Sequence, residues 1–185
     1  VNAAVAAAVA GELDRLWDEV GRPDPYVVVE DGAGDGTAAA GVLAAGMRCA
    51  PALRYLMVEA DPVLRATQAV RVALEQPTEL LGPVLPGVED EPVGVPGIGP
   101  LAASLTELPR GLDLAVVFRW DRPPTGIRAW LDAARRVAVD GRAMVVLPTG
   151  GGGVEVGSEQ RPHPLSGFPH LEVVVRGLGW VDRKG

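Results

Sequence analysis

The chain has 185 residues, 48% hydrophobic and 22% charged, a composition suited to a soluble globular protein with one substantial core. Its 17 Lys and Arg against 24 Asp and Glu leave a formal charge of −7 with no basic block, which argues against partners held through phosphate backbones or anionic lipid. Cys49 stands alone, excluding an internal disulfide or a cysteine-rich zinc site and fitting a reducing cytoplasm.

The alanine-rich start lacks a basic n-region and is followed closely by Glu12, Asp14, Asp18 and Glu19, so it does not read as a signal peptide. No run approaches the roughly 18 to 20 apolar residues of a membrane span. Val5, Val9, Leu13, Leu16, Trp17 and Val20 recur at helical spacing, with Gly21 and Pro23 as a stop, which predicts a leading amphipathic helix within residues 1–22. The chain opens at Val1 rather than Met, as a processed product or an excerpt of a longer chain would.

Tyr26–Glu30 is a β-branched run fit for a buried parallel strand, and Thr37–Met47 has the small residues of a helix packed close on a sheet. Arg54–Glu59 is the second strand. Asp61 and Pro62 then open a helix through about Glu75, as N-cap and first helical residue. Prolines and glycines dominate 76–100, a long connection. Leu112–Phe118 reads as a strand, Thr125–Val139 as a helix and Ala143–Leu147 as a further strand. The divergent part 150–185 holds one more strand, Leu171–Val175. Helices alternating with such strands predict a single α/β domain: a doubly wound, mostly parallel sheet with helices on both faces.

The segment with most chemistry in it is Tyr26–Gly46. Gly32, Gly34 and Gly36 lie between a strand and a helix, where backbone N–H groups at a helix N-terminus can approach a ligand without an intervening Cβ. The spacing is G-x-G-x-G rather than the G-x-G-x-x-G of dinucleotide folds. Glu30, Asp31 and Asp35 surround the loop with carboxylates, which would repel a pyrophosphate and suit a ligand carrying a sulfonium and an ammonium. Glu59, at the end of the second strand, is placed to accept both hydroxyls of an adenosine ribose. That acid selects a nucleoside without separating NAD from S-adenosylmethionine. Asp61 is explained by its cap alone.

The stretches "ELDRLWDEVGRPDPYVVVEDGAGDGT", "CAPALRYLMVEADPVLRATQ" and "GPLAASLTELP" resemble the MidA-like methyltransferases, the family that includes the mitochondrial complex I assembly methyltransferase, and most of all its actinobacterial members. The resemblance runs from about Gly11 to Pro109 and is looser beyond. It implies a Rossmann-like class I methyltransferase fold and S-adenosyl-L-methionine as cofactor. Glu30, Gly32, Ala33, Gly34, Asp35 and Gly36 would then lie at its methionine and ribose end, Glu59 and Ala60 at the ribose, and Ser104 and Leu105 beside the adenine. Ser104 replaces the acid usual at that place. The acceptor implied is a protein side chain such as arginine, and a homodimer is compatible with it.

One departure from that family pattern favours a second reading, a non-catalytic cofactor-binding or protein-assembly domain. After the fourth strand the family has an Asn-Glu-Leu-Leu-Asp-like stretch facing the transferred methyl, whereas this chain has "VVFRWDRPPTG" and passes directly to a helix. The family also has a cofactor-covering segment before the first helix, and this chain starts after it. Asp121–Pro124, "DRPP", carries an intervening Arg122 and no aromatic after its prolines, so it reads as a turn. His163 and His170 lack companions at metal spacing, Thr149–Gly153 lacks the Lys-Ser/Thr of a phosphate loop, and Trp120 and Trp130 read as packing residues. No catalytic base is assigned from the sequence.

Overall fold

The computed structural model describes residues 1–75, 102–108, 110–148, 163–165 and 168–177. The 76–100 connection and the Thr149–Gly153 loop lie outside the described residues. Helix α1, Ala3–Glu19, begins at Asn2, whose side chain accepts the Val5 N–H at 2.9 Å. There follow β1 (Tyr26–Asp31), α2 (Thr37–Leu43), β2 (Leu53–Val58) and α3 (Pro62–Glu75). Asp61 caps α3 as expected, its Oδ1 accepting the N–H groups of Val63 and Leu64 at 2.8 and 3.3 Å. A 3-10 turn at Leu105–Glu107 precedes β3 (Leu112–Asp113), β4 (Val116–Arg119), α4 (Ile127–Val137), β5 (Ala138–Val139), β6 (Arg142–Pro148), β7 (His163–Leu165) and β8 (Phe168–Gly177).

The main sheet has the order β2-β1-β4-β6-β8-β7. From β2 to β6 neighbours are parallel, and β8 runs antiparallel to both β6 and β7. Ala102 adds a parallel bridge to Val58 on the outer side of β2. The chain goes from β1 outward to β2 and later returns to the other side of β1 with β4. Such a reversal of strand order opens a crevice at the carboxyl ends of the strands.

Side chains alternate across the sheet because successive Cβ atoms of a strand point to opposite faces. Tyr26 and Val28 join Val9, Leu13 and Leu16 of α1 and Val42 of α2 in one buried cluster. Val27 and Val29 join Trp130, Leu131 and Ala134 of α4 in the other. Helices therefore cover both faces, as predicted. The phenol of Tyr26 ties the first layer together by donating to the Leu13 carbonyl at 2.9 Å, and Cys49 is buried in the same cluster.

Besides one-residue shifts and a longer last strand, Phe168–Gly177 rather than Leu171–Val175, three sequence expectations change at their boundaries. Leu112–Phe118 is two strands rather than one, because Leu114 has φ +55 and its N–H donates to the Val139 carbonyl, turning the chain from β3 into β4. The helix expected over Thr125–Val139 ends at Val137, because Ala138 and Val139 pair with β3 in a separate two-stranded sheet. Helix α2 ends at Leu43 rather than Met47, its last carbonyls being capped by Ala44 and Ala45.

Candidate functional site

The loop 32–36 leaves the carboxyl end of β1 at the β1/β4 reversal, where such folds open a crevice. Gly32 (φ +75) and Gly34 (φ +58) adopt the left-handed conformation that side chains resist, and the loop folds back over the end of β2. Its N–H groups are mostly consumed in doing so. Those of Gly32 and Ala33 both donate to the Val58 carbonyl, at 2.8 and 3.0 Å, and that of Gly36 donates to the Ala33 carbonyl. The Thr37 N–H and hydroxyl both donate to Asp35 Oδ1, which caps the start of α2 in place of the side-chain-less Gly36. Of the loop's N–H donors, those of Gly32, Ala33 and Gly36 are thereby turned inward. What Gly34 leaves open is space, since a Cβ placed there would meet nothing within 4 Å.

Glu59 follows β2 and stands over this loop. Its Oε2 accepts the Gly34 N–H at 2.8 Å and its Oε1 the Asp61 N–H at 2.9 Å. Gly34 is also held through its carbonyl, which accepts from Gln68 Nε2 of α3 at 2.7 Å. Gln68 is fully buried and its Oε1 has no partner among the described residues, an unusual condition for a buried amide. Helix α3 grips the loop a second time through Arg71 and Asp35, 3.1 Å apart.

The last two residues of β1 face opposite sides. Glu30, on the α1/α2 side, is completely buried. Its Oε2 accepts the Tyr55 hydroxyl at 2.6 Å and its Oε1 the Trp120 indole N–H at 2.5 Å. Burial pushes its pKa up to about 7, although both hydrogen bonds favour the ionised form. Asp31, on the α4 side, accepts with one oxygen both the Trp130 indole N–H at 2.9 Å and Arg119 Nη1 at 2.7 Å. Arg119 completes its contacts through Nε and Nη2, both donating to Asp121 Oδ1. Burial alone would lower the guanidinium pKa, but the bonds to Asp121 and Asp31 outweigh it and the net shift is upward.

Gly32 is where the loop and this cation meet: a Cβ there would lie 2.9 Å from Arg119 Nη2. The structure thus brings Glu59, Gly32, Gly34 and Asp35 together around the crevice, with Glu30 beneath it rather than lining it. Ala33 is buried and Ala60 exposed. Ser104 lies beyond the Ala102 bridge, its hydroxyl 2.6 Å from that of Thr106, while the Leu105 side chain is buried in the α4-side cluster.

Arg119 and Gln68 were not singled out by sequence reasoning. A charged residue closing the apolar run Val116–Phe118 is a signal for the first, and nothing in the helical pattern around Gln68 marks the second. The acidic character read from Glu30, Asp31 and Asp35 is also corrected. Asp31 is paired with Arg119 and Asp35 with Arg71, while Glu30 is buried. Among the described residues no three His, Cys, Asp or Glu side chains converge on a metal position. No helix of these residues is long and apolar enough to cross a membrane. "DRPP" forms the expected turn, with the Gly126 N–H donating to the Pro123 carbonyl just before α4.

A family model, Methyltransf_28, described as "Putative S-adenosyl-L-methionine-dependent methyltransferase", matches residues 8–135. Among solved structures, the CurJ carbon methyltransferase is similar with TM-score 0.65 and 9% identity, over 95% of this chain and 54% of that one. The rRNA methyltransferase aviRa from Streptomyces viridochromogenes has TM-score 0.61 and 12% identity, over 92% and 84%. The S-adenosylmethionine-dependent methyltransferase SibL, in its apo form, has TM-score 0.53 and 14% identity, over 91% and 55%. At such identities the likeness is one of fold. The chain spans just over half the length of the CurJ and SibL chains. Comparison with curated proteins gives no match.

Proposed function

The chain belongs to the Methyltransf_28 family of S-adenosyl-L-methionine-dependent methyltransferases, and on that footing we propose that it holds this cofactor across the carboxyl ends of β2, β1 and β4 and methylates a protein side chain such as arginine. The observation that carries the cofactor assignment is the contrast between Gly34 and its neighbours: open space above a loop whose N–H groups are spent, beside the acceptor Glu59. A pyrophosphate needs donors, which this loop withholds, whereas a ribose diol needs an acceptor, which Glu59 supplies. The residues present therefore fit S-adenosylmethionine, whose adenosine carries no phosphate, better than the pyrophosphate of NAD.

In this reading Glu59 accepts the ribose hydroxyls with Ala60 beside it, Gly32, Ala33, Gly34, Asp35 and Gly36 form the floor, and Ser104 and Leu105 border the adenine. Glu30 supports the floor from below. The cofactor, when bound, supplies an electrophilic methyl group on a sulfonium. This chain's part is to align that group with an incoming nucleophile and exclude water, for which position matters more than a base. The protein acceptor rests on the MidA-like sequence resemblance.

One observation favours a second reading, a cofactor-binding or assembly domain without turnover. At the end of β4, where an acceptor would be held, Arg119 and Trp120 are turned inward onto Asp31, Asp121 and Glu30. Calorimetric titration with S-adenosylmethionine, S-adenosylhomocysteine and NAD tests the cofactor, with binding of the first two expected. Tighter binding of NAD would overturn the assignment. Transfer of radiolabelled methyl to protein, or its absence at saturating cofactor, decides between the two readings.

A further inference from the structure

We propose that Gln68 of α3 is a positioning residue: through Gly34 it sets the Glu59 carboxylate that receives the cofactor. The inference rests on the cofactor reading above and deepens it. Gly34 has no side chain, a φ of +58 and nothing within 4 Å of where a Cβ would stand, so packing does not hold it in place. Its two polar groups do. The N–H donates to Glu59 Oε2 at 2.8 Å, and the carbonyl accepts from Gln68 Nε2 at 2.7 Å. A hydrogen-bonded chain from Gln68 through Gly34 to Glu59 therefore joins the buried side of α3 to the acid after β2. Loss of its first bond frees the backbone around Gly34, and with it the donor that orients Glu59.

The chemistry of Gln68 fits positioning better than packing. The side chain is fully buried, yet its Oε1 has no partner among the described residues. A half-satisfied buried amide is costly, and methionine, of similar length and apolar, would fill the same space without an orphaned acceptor. Stability alone thus gives little reason for an amide here, and the bond it makes is to Gly34. The rest of α3 is arranged in the same sense. Arg65, Gln68 and Arg71, at successive i, i+3 steps, all turn to the site: Arg65 Nη1 donates to the Glu59 and Ala60 carbonyls at 2.6 and 3.3 Å, and Arg71 pairs with Asp35. The apolar Val63, by contrast, is 72% exposed. A helix recruited for core burial shows the opposite polarity.

A purely structural role for Gln68 is the competing account, and calorimetry with S-adenosylhomocysteine separates the two. Gln68→Met should weaken binding about tenfold while moving the urea midpoint by less than about 0.5 M, since loss of the bond to Gly34 is offset by removal of the orphaned acceptor. In a Glu59→Ala background the same substitution should weaken binding no more than about twofold, because Gln68 acts through Glu59. Gln68→Glu guards against a misfolded methionine variant. Burial favours its protonated carboxyl, which can donate to Gly34 as the amide does, so at about pH 5.5 it should bind within about threefold of wild type and at about pH 8, ionised, about tenfold more weakly. Asp35, Glu59, Arg65 and Arg71, the charged groups around this grip, are common to both proteins, so each affinity is read against wild type at the same pH, and circular dichroism reports folding. Unchanged affinity in a folded Gln68→Met, a tenfold loss in both backgrounds, or Gln68→Glu binding as weakly at the lower pH as at the higher would each overturn the positioning role and leave the cofactor reading standing. Absence of S-adenosylhomocysteine binding by wild type would instead overturn the cofactor reading, and the inference with it.

Discussion

The Glu59 carboxylate and the Gly34 N–H lie 2.8 Å apart, joining residues 25 positions distant in the chain. The acid suited to accept a ribose is, in this structure, a clamp on the glycine loop. Glu59→Ala should weaken S-adenosylhomocysteine binding about 10- to 100-fold by removing charge-assisted acceptors. It should also cost about 1 to 2 kcal/mol of stability, because the Gly34 and Asp61 N–H groups lose their partner. Calorimetry and denaturant melts measure the two separately, and unchanged affinity in a folded variant would place the ribose elsewhere.

Gly32 and Gly34 should respond differently to alanine. At Gly34 the surroundings are open, so the strain of a left-handed residue alone applies, roughly 1 to 2 kcal/mol, while the added methyl intrudes on the proposed ligand floor. Gly32→Ala adds a collision with Arg119 and should cost about 2 to 4 kcal/mol. Chemical denaturation should rank Gly32→Ala as the less stable, and ligand titration should find Gly34→Ala folded but impaired.

Glu30 predicts an acid-favoured stability term. Its folded pKa of about 7 lies above the ordinary carboxylate value, so the native state retains a proton that the unfolded chain releases first. The group's contribution is therefore most favourable below about pH 4.5 and is lost as pH rises towards 7, a swing of roughly 3 kcal/mol. Glu30→Gln keeps the shape without the charge. Its stability relative to wild type should improve between pH 5 and pH 8, and urea melts at the two values giving the same difference would refute the assignment.

Ligand-induced stabilisation distinguishes the cofactors without an activity assay. S-adenosylhomocysteine at about 100 times its dissociation constant should add roughly 2.7 kcal/mol, raising the melting temperature by about 5 to 10 °C. NAD should give almost none, since the N–H groups of Gly32, Ala33 and Gly36 are already spent. An equal shift with NAD would contradict that account.

Much of the fold was legible because its signals are local. Val5, Val9, Leu13 and Leu16 mark one helix face, Asp61-Pro62 opens α3, and the β-branched run after Tyr26 marks a buried strand. The break at Leu114 was not legible, because it depends on β3 finding β5, a pairing between distant segments. At the site, the sequence identified glycines and acids but not what they bond. Whether a loop N–H faces a ligand or the Val58 carbonyl is decided by how the loop folds over β2. Likewise the charge of Asp31 is answered by Arg119, 88 residues away, which no spacing rule near the loop connects to it.

The two indoles at the crevice give the protein an optical readout of its own. Trp120 donates to Glu30 and Trp130 to Asp31, so consecutive acids of β1 are each wired to a fluorophore, one on either face of the sheet. Trp17, bonded to the Pro23 carbonyl and under Arg22, packs against the same cluster as Trp120. With Trp17 and Trp180 also replaced by phenylalanine, removing Trp120 or Trp130 in turn would leave emission from one side in view. The Trp120 signal would follow the protonation of Glu30, and the Trp130 signal whatever rearranges Asp31 and Arg119.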